Sequence, residues 1–177
     1  QSGRYDQPTV FNLGVSGDTS SDILKRVEQE IEARIWPGEE FVFVFAFGIN
    51  DSSLYKGTPR VAIDTFRSNL QKILSIAYKH SQKNAVVEIT PCIEERTDPT
   101  SWDADYSYRN DLIDSYNKEL KDVASSSDVL FIEVAKSLLE VQAQEEIMTD
   151  GVHPDTPGHE QLFRAIQPEL DKLIARD

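Results

Sequence analysis

"FVFVFAF", residues 41–47, is apolar at every position. A strand with one wet face alternates apolar and polar residues, because successive side chains point to opposite sides. An unbroken run of Phe and Val reads instead as a strand covered on both faces, the pattern of a parallel sheet sandwiched between helices. Three more short runs of the same character lie at wide spacing: "PTVFNL" (8–13), "AVVEIT" (85–90) and "VLFIEV" (129–134). All four read as strands.

The segments between them carry helical periodicity. In "SSDILKRVEQEIEARI" (20–35), Ile23, Leu24, Val27, Ile31 and Ile35 follow three-four spacing, with Ser20 or Ser21 as cap. Similar stripes run through Val61, Ile63, Phe66, Leu70, Ile73, Leu74 and Ala77, and through Leu112, Ile113, Tyr116, Leu120 and Val123. A last helix is expected over about 157–175, with Leu162, Phe163, Ile166, Leu170 and Leu173 on its apolar stripe. The order β-α-β-α-β-α-β-α predicts parallel strands joined by right-handed helical crossovers, hence an α/β fold in a three-layer α/β/α sandwich. The longest irregular stretch, "CIEERTDPTSWDAD" (92–105), starts at the C-terminal end of a strand, the edge where open parallel sheets bind ligands. It reads either as a substrate-side wall or as a plain surface loop.

A chain of 177 residues with no internal repeat is expected to form one domain over 1–177. With 31 acidic against 18 basic residues the net charge is −13, which repels polyphosphate backbones, so no nucleic acid partner is expected. No apolar run approaches the roughly 20 residues of a membrane span. The single cysteine, Cys92, excludes an internal disulfide and a cysteine-rich zinc site. It fits a reducing, cytoplasmic compartment without proving one.

Three polar loops lie where a parallel sheet gathers its chemistry. "NLGVSGDTS" (12–20) holds Gly14 and Gly17, so its backbone can approach a ligand closely. A phosphate loop would need Lys-Ser/Thr after the last glycine, and Asp18-Thr19 supplies a carboxylate instead. A bland turn with Thr19 or Ser20 as helix cap also explains it. "FGIND" (47–51) places Asn50 just past the second strand, where its amide can donate to a developing oxyanion or make an Asx-turn. "TDGVHPDTPGHEQLF" (149–163) sets Asp150 three residues before His153. A general-base histidine needs an acceptor on its other ring nitrogen, and Asp150 can be that acceptor. A capping surface loop and a metal site of Asp150, His153, Asp155 and His159 are the other readings. For His80, beside a helix end, a favourable interaction with the helix dipole suffices.

"N-x-G-x-S-G-D-T-S", then "G-x-N-D", then "D-G-x-H-P", in this order and at these intervals, closely resemble the SGNH/GDSL hydrolase family, and "YNKEL" (116–120) before "VLFIEV" resembles its late helix and strand. The resemblance implies a flavodoxin-like fold that cleaves carboxylic esters or thioesters through an acyl-serine, with a small ester as substrate and without a metal or other cofactor. It implies Gly17 N–H and Asn50 as oxyanion donors, His153 as general base and Asp150 as its orienting acid.

The family's serine belongs to a "G-D-S" block after the first strand, some tens of residues before the glycine matched by Gly17. Only sixteen residues precede Gly17, and none reads as strand plus GDS. Ser16 is no substitute, because "GVSGD" lacks the second glycine of a nucleophile elbow. In the flavodoxin-like order the absent strand lies between those at 8–13 and 41–47, and its loss leaves backbone groups unpaired at about 1–3 kcal/mol each. The expectation is a strand and GDS segment upstream of Gln1, or one supplied by another chain.

Overall fold

The computed structural model describes residues 8–139 and 147–175. In chain order the elements are α1 (Ser20–Glu32), β1 (Phe43–Phe45), α2 (Ile49–Ser52), β2 (Leu54–Tyr55), β3 (Thr58–Pro59), α3 (Ile63–Tyr78), β4 (Asn84–Val87), α4 (Glu94–Thr97), β5 (Tyr106–Ser107), α5 (Asn110–Ser126), β6 (Leu130–Ile132), α6 (Ala135–Leu139) and α7 (Thr156–Ile174). The strands β1, β4 and β6 form a parallel sheet in that spatial order, with Val44 opposite Ala85 and Val86 opposite Phe131. A second, antiparallel sheet of order β3-β2-β5 joins the chain after α2 to the end of the long loop. That loop is therefore less irregular than its sequence suggests, since it contains α4 and ends in β5.

Period-two alternation along the strands divides the core into layers. On one face, Phe43 and Phe45 pack against Val27 and Ile31 of α1 and Ile73 and Ala77 of α3. Beside them Val86 meets Phe66 and Leu70 of α3 and Tyr116 and Leu120 of α5. On the other face, Ala85, Val87 and Ile132 meet Leu173, Leu170, Ile166 and Leu162 of α7. Helices thus cover both faces, which makes the α/β/α sandwich that the element order predicts. The stripes expected on α3 and α5 are the buried ones: Phe66, Leu70, Tyr116 and Leu120 are at most 2% exposed.

Four expectations need correction. Residues 8–13 form no strand; Val10 is 84% exposed, and the Phe11 ring instead lies 5.8 Å from the Arg34 guanidinium. The run at 41–47 is not covered on both faces. Among the described strands it lies at an edge, with no described strand on its other side, and Val44 is exposed on the α7 face. An apolar run states that a strand can be covered, while its neighbours decide whether it is. Phe163 is exposed, because the α7 face in contact with the sheet is defined by Leu162, Ile166 and Leu170 one position around the helix. Finally, the cap of α1 is Thr19, as one reading of the 12–20 loop has it, and not the Ser20 or Ser21 expected from the helical stripe.

Candidate active site

The loop before α1 is tied down from four sides. Asp22 reaches back to accept from the Thr19 N–H at 3.2 Å and the Thr19 hydroxyl at 2.7 Å. The Lys25 ammonium, followed by these Thr19 bonds, holds the Asp22 carboxyl well below the ordinary carboxylate range. Ser20 N–H donates to both oxygens of Asp51, each at 3.0 Å, and Asn69 Nδ2 donates to the hydroxyls of Ser20 and Ser21 at 3.0 and 2.9 Å. Asn50 Nδ2 donates to the Asp18 carbonyl at 3.0 Å, and Arg60 donates to the Gly17 carbonyl at 3.0 Å.

These bonds bring Gly17 and Asn50 together, 33 positions apart in sequence. The turn that allows it is at Gly48, with φ of +121°, where a Cβ would lie 2.6 Å from Ile89 Cδ1. Only glycine lets β1 break this sharply into α2. An amide side chain carries two N–H donors, and Asp18 engages one of them on Asn50. Asp51, the next residue, is fully buried, and that burial raises its pKa against the opposing pull of the Ser20 bonds.

On the other side, Asp150 Oδ2 lies 2.6 Å from His153 Nδ1. The Asp150 Oδ1 atom accepts from the backbone N–H groups of Val152 and His153 at 2.9 and 2.7 Å. Partial burial raises this carboxyl, but the two N–H bonds and the imidazole outweigh it, so its pKa falls below the ordinary value. Val152 is 4% exposed and plugs the loop into the main core. Gly151 presses against α4, accepting from Ile93 N–H at 2.9 Å; a Cβ on it would meet Thr97 Cγ2 at 2.8 Å. The His153 side chain is 70% exposed, so with Nδ1 held by Asp150 its Nε2 is the nitrogen left to exchange a proton with a ligand.

Tyr108 is buried against α4, where its backbone N–H donates to Thr97 O at 2.9 Å. Burial raises its hydroxyl pKa, and it sits close enough to Arg60 and Asp150 for both charges to act on it. The Asp–His pair lies in the loop that precedes α7, and Gly17 and Asn50 meet in the loops that precede α1 and α2. Asp155, one of the four residues of the metal reading, caps α7 by accepting from Gly158 N–H at 3.2 Å. Among the described residues no group of three or more His, Cys, Asp and Glu is placed to hold a metal ion. Nor does any described hydroxyl or thiol bond His153. Ser52 and Ser53 spend their hydroxyls on the Ile49 and Asn50 carbonyls, and Cys92 is buried.

Asp51, Arg60 and Tyr108 were not among the residues singled out from sequence. Asp51 adjoins Asn50 in "GIND" and was within reach, whereas Arg60 and Tyr108 carry no local pattern.

A parallel sheet between two helix layers is the α/β/α arrangement of the SGNH-type hydrolases. Residues 2–161 match the GDSL-like lipase/acylhydrolase family, and the chain belongs to that family. Among solved structures it resembles a lipase/acylhydrolase from Enterococcus faecalis, with 25% identity and a TM-score of 0.70 over 88% of this chain and 72% of that one. It also shares the fold of Axe2, an acetylxylan esterase from Geobacillus stearothermophilus, with 20% identity and a TM-score of 0.69 over 90% of this chain and 70% of that one. The uncharacterized lipoprotein YqeF of Bacillus subtilis is 30% identical over 86 residues, which are 48% of this chain and 34% of that protein. The match thus spans about a third of that relative's length. No described helix is long and apolar enough to cross a membrane.

Proposed function

We propose that this chain is the greater part of a serine ester hydrolase in which His153 is the general base, Asp150 its orienting acid, and Gly17 N–H and Asn50 the oxyanion donors. The observation that carries this reading is the Asp150–His153 contact of 2.6 Å, in a loop whose carboxylate is already fixed by two backbone N–H groups. The family membership and the esterase named among the structural neighbours support the reaction class.

In this reaction a serine Oγ attacks the acyl carbonyl carbon and His153 Nε2 takes its proton. The tetrahedral oxyanion is held by the amide donors, then collapses as the C–O bond to the alcohol breaks and the imidazolium returns the proton to the leaving oxygen. Water repeats the sequence on the acyl-serine. Asp150 stays ionised throughout.

The serine is proposed to lie on a further strand that pairs with the free side of β1. The open edge among the described strands and the exposed Val44 support this placement. A buried sheet does not leave such an edge bare without cost. The rival reading is a non-catalytic protein of the same fold, in which His153 and Asp150 serve no nucleophile.

Fluorophosphonate labelling of the natural full-length chain separates the two. An ester hydrolase is labelled on a serine other than Ser16 and those within 17–177, and loses labelling in His153→Ala; an unlabelled chain favours the rival. His153→Ala should lower kcat for a short acyl ester by roughly 10³ or more, and Asn50→Ala by about 10²–10³. Near-wild-type turnover in both variants overturns the assignment.

A further inference from the structure

Two kinds of bond hold the Asp150–His153 loop. Those within it set the shape of the pair: Asp150 accepts from the Val152 and His153 N–H groups and contacts His153 Nδ1, and Gly151 N–H donates to Met148 O at 2.9 Å. None of these fixes where the pair stands against the rest of the molecule. Besides Val152 in the core, two bonds from α4 do so. Ile93 N–H, at the cap of α4, donates to Gly151 O at 2.9 Å, and the Arg96 guanidinium donates to Thr149 O at 3.0 Å. Thr149 and Gly151 are the neighbours of Asp150 in sequence, so α4 grips the backbone before and after the acid.

Although α4 is one turn long, its base is firm. Thr97 is fully buried, with its hydroxyl 3.2 Å from Ile93 O and 3.1 Å from Tyr108 O, and its own carbonyl accepts from Tyr108 N–H at 2.9 Å. At the other end Glu94 accepts from Asn110 N–H at 2.6 Å, while the Asn110 amide holds the backbone of Cys92. The loop lies directly on this base, since a Cβ at Gly151 would meet Thr97 Cγ2 at 2.8 Å and Arg96 Cβ at 2.9 Å. Arg96 therefore supports the loop twice, with its stem under Gly151 and its head group on Thr149 O. A bond from a charged donor is roughly twice as strong as a neutral one.

The side chains of the pair have little packing of their own, for His153 is 70% and Asp150 39% exposed. Their position must come from the backbone that carries them. A general base works only within hydrogen-bond reach of the proton it takes, and a displacement of about 1 Å can cost about 10²-fold in rate. We infer that Arg96 is a positioning residue for the Asp150–His153 pair, acting through the carbonyl of Thr149. This inference rests on the ester-hydrolase reading of His153 and Asp150.

The test measures hydrolysis of p-nitrophenyl acetate by the natural full-length chain and, separately, the rate of fluorophosphonate labelling. Arg96→Met keeps an unbranched stem under Gly151 and removes the donor; it should lower kcat about tenfold with KM within about twofold, and slow labelling by the same factor. Arg96→Lys, which keeps a charged donor, should recover most of both. An unchanged kcat in Arg96→Met, a loss carried by KM, or equal losses in Arg96→Met and Arg96→Lys overturns the positioning role while leaving the hydrolase standing. Loss of folding in Arg96→Met overturns it too, because Arg96 then holds the fold rather than the pair. Near-wild-type turnover and labelling in His153→Ala overturns the hydrolase reading itself.

Discussion

Asp51 and Asp150 flank the two halves of the candidate site, and their surroundings drive them in opposite directions. Burial raises Asp51, whereas Asp150 is lowered because its backbone and imidazole partners outweigh partial burial. A lowered native pKa means that the unfolded chain binds more protons in the affected window, so stability rises with pH there. The contribution of Asp150 is therefore complete above the ordinary carboxylate value of about 4 and is lost as pH falls through the lower native one. Asp51 has the reverse sign: the folded chain binds the extra proton, and stability is lost as pH rises from about 4 through the raised value. Urea unfolding from pH 3 to 8 checks this. The stability difference between wild type and Asp150→Ala should shrink toward acid, and Asp51→Asn should gain on wild type as pH rises. Parallel pH profiles for wild type and Asp51→Asn would show that the buried carboxyl does not titrate in this window. The order of the three motifs made Asp150, His153, Gly17 and Asn50 legible as candidates. Arg60 was not, because its relation to the loop at 17–19 exists only after β2, β3 and β5 have paired.

At the scale of elements, α5 contributes more than its apolar stripe. Asn117 accepts from Ile89 N–H at 2.8 Å and donates to Ile89 O at 3.0 Å, and Asn110 does the same for Cys92 at 2.9 and 3.0 Å. Seven residues apart, the two amides share one helix face. Each takes the place of a strand partner for the chain that continues from β4 toward α4, and so fixes the base on which the Asp150–His153 loop rests. Asn117→Ala removes two hydrogen bonds from a residue that is 5% exposed, and should cost roughly 2–3 kcal/mol in denaturant unfolding. A loss below about 0.5 kcal/mol would mean that water replaces the amide. The helices α3, α5 and α7 were legible because apolar spacing records which face is buried. The asparagine clamps were not, since a polar residue beside an apolar stripe looks the same whether it meets solvent or a bare strand end.

At the scale of the whole molecule, charge opposes compactness. The chain carries a net −13, and ion pairs such as Lys25–Asp22, Lys121–Glu133 and Arg164–Glu160 are exposed, so each contributes little. Raising salt from about 0.02 to about 0.3 M shortens the screening length from roughly 20 to 6 Å and weakens self-repulsion more than it weakens these pairs. Thermal unfolding should therefore move to higher Tm with salt, and a fall would show that the ion pairs outweigh the repulsion. The sequence by itself determined the α/β class, the helical faces, the acidic surface and the three motif loops, because these depend on side-chain period and on short-range spacing. Only the tertiary structure decided that 41–47 supplies the edge strand among the described ones and that 8–13 supplies none. It alone joined the loop of Gly17 to Asn50 and paired Tyr55 with Tyr106. Strand neighbours and loop contacts come from segments distant in the chain, and no local pattern records which distant segment will arrive.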